Sequence, residues 1–446
     1  MKMSNYVLHQ VYRFLRAGLL GCLLYGVQAY AALPIQHWVT ENGARVFFVE
    51  THAIPVLDIS VEFDAGSRRD PAGKAGLAAL TNGSLDKGIA RSGVEDVTEA
   101  QILDTFADSG AIRSNKTSMD RAGYALRVMS GPEESGAAIR MMAQLLANPS
   151  FPEALLVRDK ARVIASLREE MTRPESIAAK AFRKDIYPAH PYGESSTPES
   201  VEQITRDDLV DFHKRHYVAN RAVISLVGDI DIERARRIAQ EISSGLGVSD
   251  QELPVLPDVT LSTGKTHAIA HPATQAHILI GMPSLKRGDP DFFALTVGNY
   301  ILGGGGFSSR LMAEVREKRG LSYSVYSKFQ PMLQPGPFVI GLQTEKKQAA
   351  DAIGVVNATL NDFLRKGPDE AELQAARDHL VNSFAMQMDN NLKVLELIAM
   401  IGYYRLPLDY LDHWTEKVAQ VTAADVKDAM NRRLDVGKMA TVIVGQ

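Results

Sequence analysis

Two pairs of histidines have the residue type and spacing that metal chemistry uses. His213 and His216 are spaced i, i+3 on a predicted helix, and His267 and His271 flank a short apolar stretch that ends at Pro272. A catalytic zinc needs about three protein ligands and partners that orient them. Neither pair comes with a third ligand or a positioned base. The sequence therefore favours packed or solvated histidines in both places.

A run of four glycines, Gly303, Gly304, Gly305 and Gly306, has the composition of a phosphate-binding loop. Nucleotide-binding loops continue into a Lys-Ser/Thr pair and lie between a strand and a helix. No such pair follows the four glycines and no such pattern surrounds them, so we do not expect a nucleotide site. On the residues alone, the run can also be a flexible helix end without a function.

The elements that must position these residues occur twice in the chain. Residues 201–229 align without gaps with residues 418–446, at a constant offset of 217 residues. In each segment a threonine N-cap, Thr205 or Thr422, has an aspartate three residues later, where a carboxylate meets the free N–H groups of a helix. Each predicted helix leads into a hydrophobic strand that ends in glycine. The shared cap, register and glycine favour duplication over chance similarity.

Strands and helices follow each other in groups, which predicts an α+β fold rather than a doubly wound one. We expect two homologous domains, each a mixed or antiparallel sheet packed by helices, at residues 32–245 and 266–446, with a Gly-, Ser- and Pro-rich linker at 246–265. The predicted strands are Arg45–Glu50, Val56–Phe63, 222–227, 276–282 and Ala440–Val444, and the predicted helices include 98–110, 153–171 and 369–388.

Residues 1–31 have the order of a secretory signal peptide. Basic residues up to Arg16 precede the uncharged run 17–27, and Ala29 and Ala31 provide small residues before a cleavage site. The run is shorter than the roughly 20 apolar residues that span a membrane. A buried N-terminal helix and lipoprotein processing at Cys22, the one cysteine, are the alternatives. We therefore expect a periplasmic protein with no membrane span after cleavage.

Composition excludes other classes of partner. Hydrophobic residues make up 45% and charged residues 23%, as in an ordinary globular protein. Lys and Arg number 49 against 53 Asp and Glu, a net charge of −4. A chain this balanced has no global electrostatic attraction to nucleic acid or to an anionic membrane.

Residues 302–327, LGGGGFSSRLMAEVREKRGLSYSVYS, closely resemble the glycine-rich loop, helix and strand of the pitrilysin/insulinase and mitochondrial-processing-peptidase family of zinc proteases. Stretches 66–68 (GSR), 191–193 (PYG) and 227–229 (VGD) are similar as well, so the resemblance covers nearly all of the chain after residue 31. It implies the two-domain fold of that family.

The same resemblance shows that the zinc motif is lost. Active members carry His-x-x-Glu-His on a helix, followed by a later glutamate. Ala79 and Gly83 occupy the two histidine positions, Asn82 occupies the glutamate position, and the later glutamate falls near Val157. A methyl group and a hydrogen cannot bind zinc, and a neutral amide cannot take a proton from water. We therefore expect no metal or other cofactor in this chain.

An arginine and a tyrosine of the family survive. In active members they come from the C-terminal domain and reach the substrate over the zinc, and the matching residues are Arg316 and Tyr323. Both can donate hydrogen bonds to a peptide carbonyl and to the oxyanion it becomes. In the alternative reading, Arg316 caps a helix predicted at 309–319 and Tyr323 packs in a sheet strand predicted from Leu321. The resemblance also implies that Gly303–Gly306 is a mobile loop that contacts an extended peptide.

The family includes heterodimers in which one chain holds zinc and the other holds the Arg/Tyr pair. The resemblance therefore implies a metal-free subunit of an extracytoplasmic metalloendopeptidase, inactive alone, that assists a zinc-bearing homologous partner in cleaving unfolded peptides. Two alternatives stay open on the sequence. One is a non-catalytic structural or peptide-binding protein of the same fold, and the other is an autonomous metalloprotease with unorthodox ligands.

Overall fold

A computed structural model describes residues 33–261 and 263–445, which form two main β-sheets and the helices that cover them. The predicted signal peptide and Cys22 lie outside the described residues. The strands are β1 (Gln36–Val39), β2 (Arg45–Glu50), β3 (Val56–Phe63), β4 (Gly88–Ile89), β5 (Val97–Thr98), β6 (Ile112–Thr117), β7 (Ala122–Met129), β8 (Val223–Gly228), β9 (Thr266–Ile269), β10 (Gln275–Leu285), β11 (Val325–Phe329), β12 (Gly336–Glu345) and β13 (Ala440–Val444). The α-helices are α1 (Leu77–Gly83), α2 (Glu99–Asp108), α3 (Pro132–Ala147), α4 (Glu153–Glu170), α5 (Pro174–Ile186), α6 (Pro198–Glu202), α7 (Arg206–His216), α8 (Ile232–Ser244), α9 (Phe292–Asn299), α10 (Ala349–Lys366), α11 (Glu370–Ser383), α12 (Asn391–Tyr404), α13 (Trp414–Gln420) and α14 (Ala423–Arg433).

The two sheets have the same topology. The first has the order β1-β2-β8-β3-β7-β6 and the second the order β11-β12-β10-β13-β9. Each sheet contains one parallel pair of strands, β2 with β8 in the first sheet and β9 with β13 in the second. The other pairs are antiparallel. The α+β fold with mixed sheets is confirmed.

Local signals explain why these elements form where they do. The threonine caps at Thr98, Thr205 and Thr422 each form a complete capping box with the residue three positions later. The strands Arg45–Glu50, Val56–Phe63 and Ala440–Val444 occur with the bounds expected from their apolar patterns. The helix predicted at 369–388 is divided, because α11 ends at Ser383 and a 3₁₀ turn covers Phe384–Gln387.

Each half lends a helix to the sheet of the other half. Helix α5 of the first half packs on β10 and β13, and α12, which lies 217 residues later, packs on β2, β3 and β8. Phe182 and Ile186 thereby join Val339 and Val442 in one apolar cluster, while Val394 and its neighbours join a cluster with Phe47. The two halves interlock through this reciprocal exchange.

A buried carboxylate at the junction connects the halves by hydrogen bonds. Asp120 is 2% exposed and accepts hydrogen bonds from the hydroxyls of Tyr192 (2.5 Å) and Tyr404 (2.9 Å) and from the Leu333 N–H (2.9 Å). The Arg68 guanidinium lies 3.3 Å from the same carboxylate. A buried charge without partners is costly. The four donors therefore favour the arrangement of the two halves that brings all of them to Asp120.

The backbone beside Asp120 comes so close that only glycine fits. A Cβ on Gly66 would lie 2.4 Å from the Met119 carbonyl oxygen and from the Asp120 carbonyl carbon. Arg68, two residues later, donates to Asp64 at 2.6 Å and to the Tyr403 hydroxyl at 3.0 Å. The stretches 66–68 and 191–193 that carried part of the family resemblance thus contribute to the domain junction.

His213 and His216 are packed in the core of the first half. The Nε2 of His213 lies 2.8 Å from the Leu146 carbonyl oxygen, and the Nδ1 of His216 lies 2.9 Å from that of Asp64. Burial lowers the pKa of each imidazole to about 4. Both side chains are therefore neutral donors to backbone carbonyls at pH 7.

Across residues 33–261 and 263–445, no helix combines the length and the apolar character needed to cross a membrane.

Replacement of Asp120 tests whether it joins the halves. Asp120→Ala leaves the Tyr192 and Tyr404 hydroxyls and the Leu333 N–H without their acceptor and removes one of the two carboxylates that pair with buried Arg68. We expect the free energy of unfolding to fall by about 3–5 kcal/mol in urea titrations. The matched control is Glu396→Ala, which removes the exposed ion pair between Lys116 and Glu396, also across the halves. Exposed pairs contribute about 0–1 kcal/mol. Equal losses in both variants would contradict the assignment.

The buried histidines predict a pH dependence of stability. Their folded pKa of about 4 lies below the unfolded value of about 6.5. The unfolded chain therefore binds more protons between these values, and the contribution present above pH 6.5 is lost as pH falls toward 4. From pH 7 to pH 5 we expect each histidine to lower the free energy of unfolding by about 2 kcal/mol. Urea titrations at both pH values measure this loss.

The variant His213→Gln keeps a donor near the Leu146 carbonyl but does not titrate, so it should remove half of that loss. His413→Gln, at an exposed side chain, is the control and should leave the loss unchanged. A pH dependence that is the same in His213→Gln and in the native chain would refute the explanation.

Candidate functional site

Helix α1 carries the three positions at which the family motif is lost. Ala79 is exposed, and a Cβ on Gly83 would meet no atom within 4 Å. Val157, near the position of the third ligand, is exposed on α4. The surface that would hold zinc therefore presents a methyl group, a hydrogen and an isopropyl group.

Asn82 is buried and bonded to the fold. Its side chain is 1% exposed, and its Nδ2 donates to the carbonyl oxygens of Lys116 and Gly123, both at 3.2 Å. Its Oδ1 accepts from the Tyr217 hydroxyl at 3.1 Å. An ionised carboxylate could not donate to the two carbonyls. Asn82, at the general-base position, therefore connects α1 by hydrogen bonds to the β6–β7 hairpin and to the end of α7.

The second histidine pair, His267 and His271, does not provide a metal centre. His267 Nδ1 lies 2.9 Å from Asp185, and His271 Nε2 lies 3.1 Å from the Thr172 carbonyl oxygen. Within the described part of the chain, no three His, Cys, Asp or Glu side chains are grouped to hold a metal ion. The residues present therefore do not fit a catalytic zinc, and no step of a reaction in this chain can be assigned to one.

The glycine run begins inside a π-helical segment, Tyr300–Gly304, and continues into a 3₁₀ turn, Gly306–Ser308, before a second π-helical segment, Met312–Glu317. The α-helix predicted at 309–319 is thus mostly a wider π-helix, a rare winding that is frequent at functional sites. Its end is closed at Gly320, at a φ of +63°, whose N–H bonds to the Arg316 carbonyl at 2.8 Å. The Leu321 N–H bonds to the Val315 carbonyl at 2.9 Å.

The four glycines differ in their surroundings. Gly303 is buried, and a Cβ there would lie 2.6 Å from the Ser327 backbone nitrogen, so this position needs glycine for packing. Gly306 has a φ of +59° with open space around it, which favours glycine for conformation. Gly304 and Gly306 are exposed and Gly305 is half-buried. Gly303 is therefore not part of the loop surface that a peptide could contact.

The Arg316 side chain rests against an exposed aromatic ring. Its Cζ lies 4.6 Å from the centroid of Phe307, which is 67% exposed and follows the glycine run. This is a cation–π contact of modest energy. Among the described residues, the guanidinium makes no hydrogen bond or ion pair. Arg319, by comparison, bonds to the Glu314 carbonyl oxygen at 2.8 Å and to its carboxylate at 2.6 Å.

Tyr323 projects from the next loop. The strand predicted from Leu321 begins instead at Val325, so Tyr323 does not pack in the sheet and is 86% exposed. The buried neighbour Ser322 fixes the loop, because its Oγ lies 2.7 and 2.6 Å from the carbonyl oxygens of Ser324 and Gln343. The alternative reading, in which Arg316 caps its helix and Tyr323 packs in the sheet, is thus not what these two side chains do.

The arrangement offers a guanidinium and a phenol to an external acceptor. Within the described residues, the Arg316 guanidinium contacts the Phe307 ring and forms no hydrogen bond or ion pair, and the loop that carries Tyr323 is fixed by Ser322. Sequence reasoning missed Phe307, although an aromatic residue directly after a glycine run was a visible signal. It also missed the two π-helical segments, because no local sequence pattern predicts them.

Comparison with known proteins finds similar sequences and structures. A sequence profile described as "Peptidase M16 inactive domain" matches residues 203–380. The solved structure of a peptidase M16 inactive domain from Pseudomonas fluorescens is 34% identical, covers 93% of this chain and 98% of its own, and superposes with a TM-score of 0.87. A protein of Helicobacter pylori named "Non-peptidase homolog YmxG" is 26% identical over 97% of this chain and 98% of its own length.

A protease structure from Helicobacter pylori has the same fold, with a TM-score of 0.84 at 17% identity over 92% of this chain and 99% of its own. The chain therefore belongs to the peptidase M16 family, as a member whose zinc-motif helix carries Ala79, Asn82 and Gly83 in place of the metal ligands and the general base.

Proposed function

We propose that this chain is the metal-free subunit of a zinc endopeptidase and supplies Arg316 and Tyr323 to the site of a zinc-bearing homologue. The observation that carries the proposal is that both donors are unused by their own fold. Tyr323 is 86% exposed, and the Arg316 guanidinium contacts the ring of Phe307. Functional groups left without internal partners on an ordered surface are those that a second molecule can engage.

The chemistry of the donors fits hydrolysis of a peptide bond. The zinc of a partner would supply the activated water for hydrolysis, and the carbonyl oxygen of the attacked peptide bond would gain negative charge. A guanidinium and a phenol hydroxyl placed at that oxygen stabilise it through charge-assisted hydrogen bonds. Alone, the chain lacks the general base, because Asn82 is neutral and engaged with two carbonyls and a hydroxyl.

The substrate class follows from the exposed loops. Gly304 and Gly306 present backbone without side chains beside Phe307, so an extended, unfolded peptide can approach closely. The signal-peptide pattern of residues 1–31 supports a periplasmic site of action, where the zinc-bearing partner would also be found.

A second candidate is a non-catalytic structural or peptide-binding protein of the same fold. The printed name of the Helicobacter pylori relative, a non-peptidase homolog, favours it. In that case the chain would still form a complex or bind peptide, but the identity of residues 316 and 323 would have no effect on any cleavage rate.

Variants of the two donors test the proposed role. The chain is coexpressed with a homologue from the same organism that has His-x-x-Glu-His intact, and cleavage of unfolded peptides is assayed in the purified complex. We expect Arg316→Ala and Tyr323→Phe each to lower kcat by about 10²–10³, since each removes one oxyanion donor. Size-exclusion chromatography should show the complex unchanged, because neither side chain supports its own fold.

The matched control is Arg319→Ala, which removes a cation three residues away that is bonded to Glu314. It should leave kcat within about twofold, as an exposed ion pair has little energetic weight. Full cleavage by the complex of the Arg316→Ala, Tyr323→Phe double variant would exclude the catalytic role and assign the chain to the second candidate.

A further inference from the structure

A cavity of about 410 Å³ lies between α5 and one face of the second sheet. It is distant in sequence from the motif helix and uses none of the residues assigned above. Its walls are apolar where Phe182, Ile186 and Val339 meet, and Tyr326 of the outermost strand β11 stands at its side. A volume of this size lies in the range of small-molecule sites, roughly 300–1,000 Å³.

One strong cation lines this cavity without a partner. In the described ranges, the Arg183 guanidinium makes no hydrogen bond or ion pair, and burial lowers its pKa from the usual value. The one acidic residue of the lining, Glu175, lies eight residues earlier on the same helix, about 12 Å along its axis. A half-buried cation without an anion is unfavourable, and a bound anion would relieve this cost.

The duplication shows that the fold does not need this cation. The position 217 residues after Arg183 is Met400, on the exchanged helix of the other half. The position matching Ala178 is Leu395, which lines the equivalent cavity on the first sheet. In the other half, these two positions thus hold a methionine and a leucine, where the helix beside this cavity has an arginine and an alanine.

The charges of the equivalent cavity are already paired. There Arg121 bonds to Glu62 and Lys116 bonds to Glu396, both at 2.5 Å. In the α5 cavity, Lys328 adds a second cation near Tyr326, at 5.6 Å from its ring. The two cavities therefore lie at corresponding places on the two sheets, and among the described residues the α5 cavity differs in having cationic groups without an anionic partner.

We propose that the α5 cavity binds a small organic acid with an apolar body. Its carboxylate pairs with the Arg183 guanidinium, whose planar fork matches two carboxylate oxygens. Its apolar body fills the space beside Phe182, Ile186 and Val339. The acid is either a free medium-chain fatty acid or the apolar carboxyl-terminal residue of a short peptide, since both present the same two features.

Calorimetric titration of the purified chain tests this site. Sodium octanoate should bind at one site per chain, and octanol and octylamine should bind at least tenfold more weakly because they lack the carboxylate. Arg183→Met, which installs the residue of the other half, should weaken octanoate binding by about ten- to one-hundredfold, the range for a hydrogen bond to a charged group. Thermal unfolding checks that the variant folds.

A second variant and a control keep the test independent of folding. Ala178→Leu, again the residue of the other half, should weaken octanoate binding at least tenfold, because the larger side chain occupies part of the cavity. Lys184→Met, which removes a cation from the same helix outside the lining and paired with Glu194, should bind octanoate like the native chain. N-acetyl-Leu-Phe is titrated in parallel, and tighter binding by it or by octanoate identifies which source the site prefers.

Two outcomes overturn the proposal. One is the absence of binding by both acids at millimolar concentration. The other is octanoate binding that is unchanged in Arg183→Met and in Ala178→Leu.

Discussion

A buried carboxylate at the junction of the two halves is the constraint on which the architecture depends. Asp120 is a charge removed from water, so it is tolerated only when every acceptor position is filled. Its donors come from both halves, Tyr192 and Arg68 from one and Tyr404 and Leu333 from the other. Since hydrogen bonds tolerate only small displacements, this arrangement selects one relative placement of the two sheets.

On this shared frame, the two halves have diverged in opposite directions. In the first half, the helix that carries a zinc motif in active relatives has become structural, because Asn82 donates to two backbone carbonyls and accepts from Tyr217. In the second half, the regular helix α9 is followed by the π-helical segments Tyr300–Gly304 and Met312–Glu317. Within the described residues, the side chains of Arg316 and Tyr323 form no hydrogen bond or ion pair, and Tyr323 is 86% exposed. The first half thus engages its polar motif residue internally, whereas the second half leaves two polar side chains without internal partners.

Much of the fold could be predicted from the sequence because its signals are local. Threonine caps followed by an acidic or amide residue define helix starts, as at Thr98, Thr205 and Thr422, and alternating apolar residues define strands such as Val56–Phe63. The duplication was visible as a constant offset. The absence of zinc ligands in the motif could also be predicted, since it depends on residue identity alone.

Three features could not be predicted, because each depends on tertiary contacts. The strand expected from Leu321 begins at Val325, because Ser322 ties the preceding loop to the neighbouring strand. The π winding around Arg316 has no periodic signature that distinguishes it from an α-helix over so short a segment. Gly303 is buried because Ser327 lies against it, and no local sequence pattern predicts that the strand of Ser327 packs beside the glycine run.

The exchange of α5 and α12 has a consequence for how the protein is made. A chain synthesised from its amino end has all strands of its first sheet once Gly228 has emerged, yet the helix that covers one face of that sheet is complete only at Tyr404. Phe47 and Val223, which meet that helix, remain uncovered in the interval. Contacts this far apart in sequence form slowly, and exposed strands aggregate. The nascent first half therefore keeps an apolar sheet face exposed to water until α12 has been made.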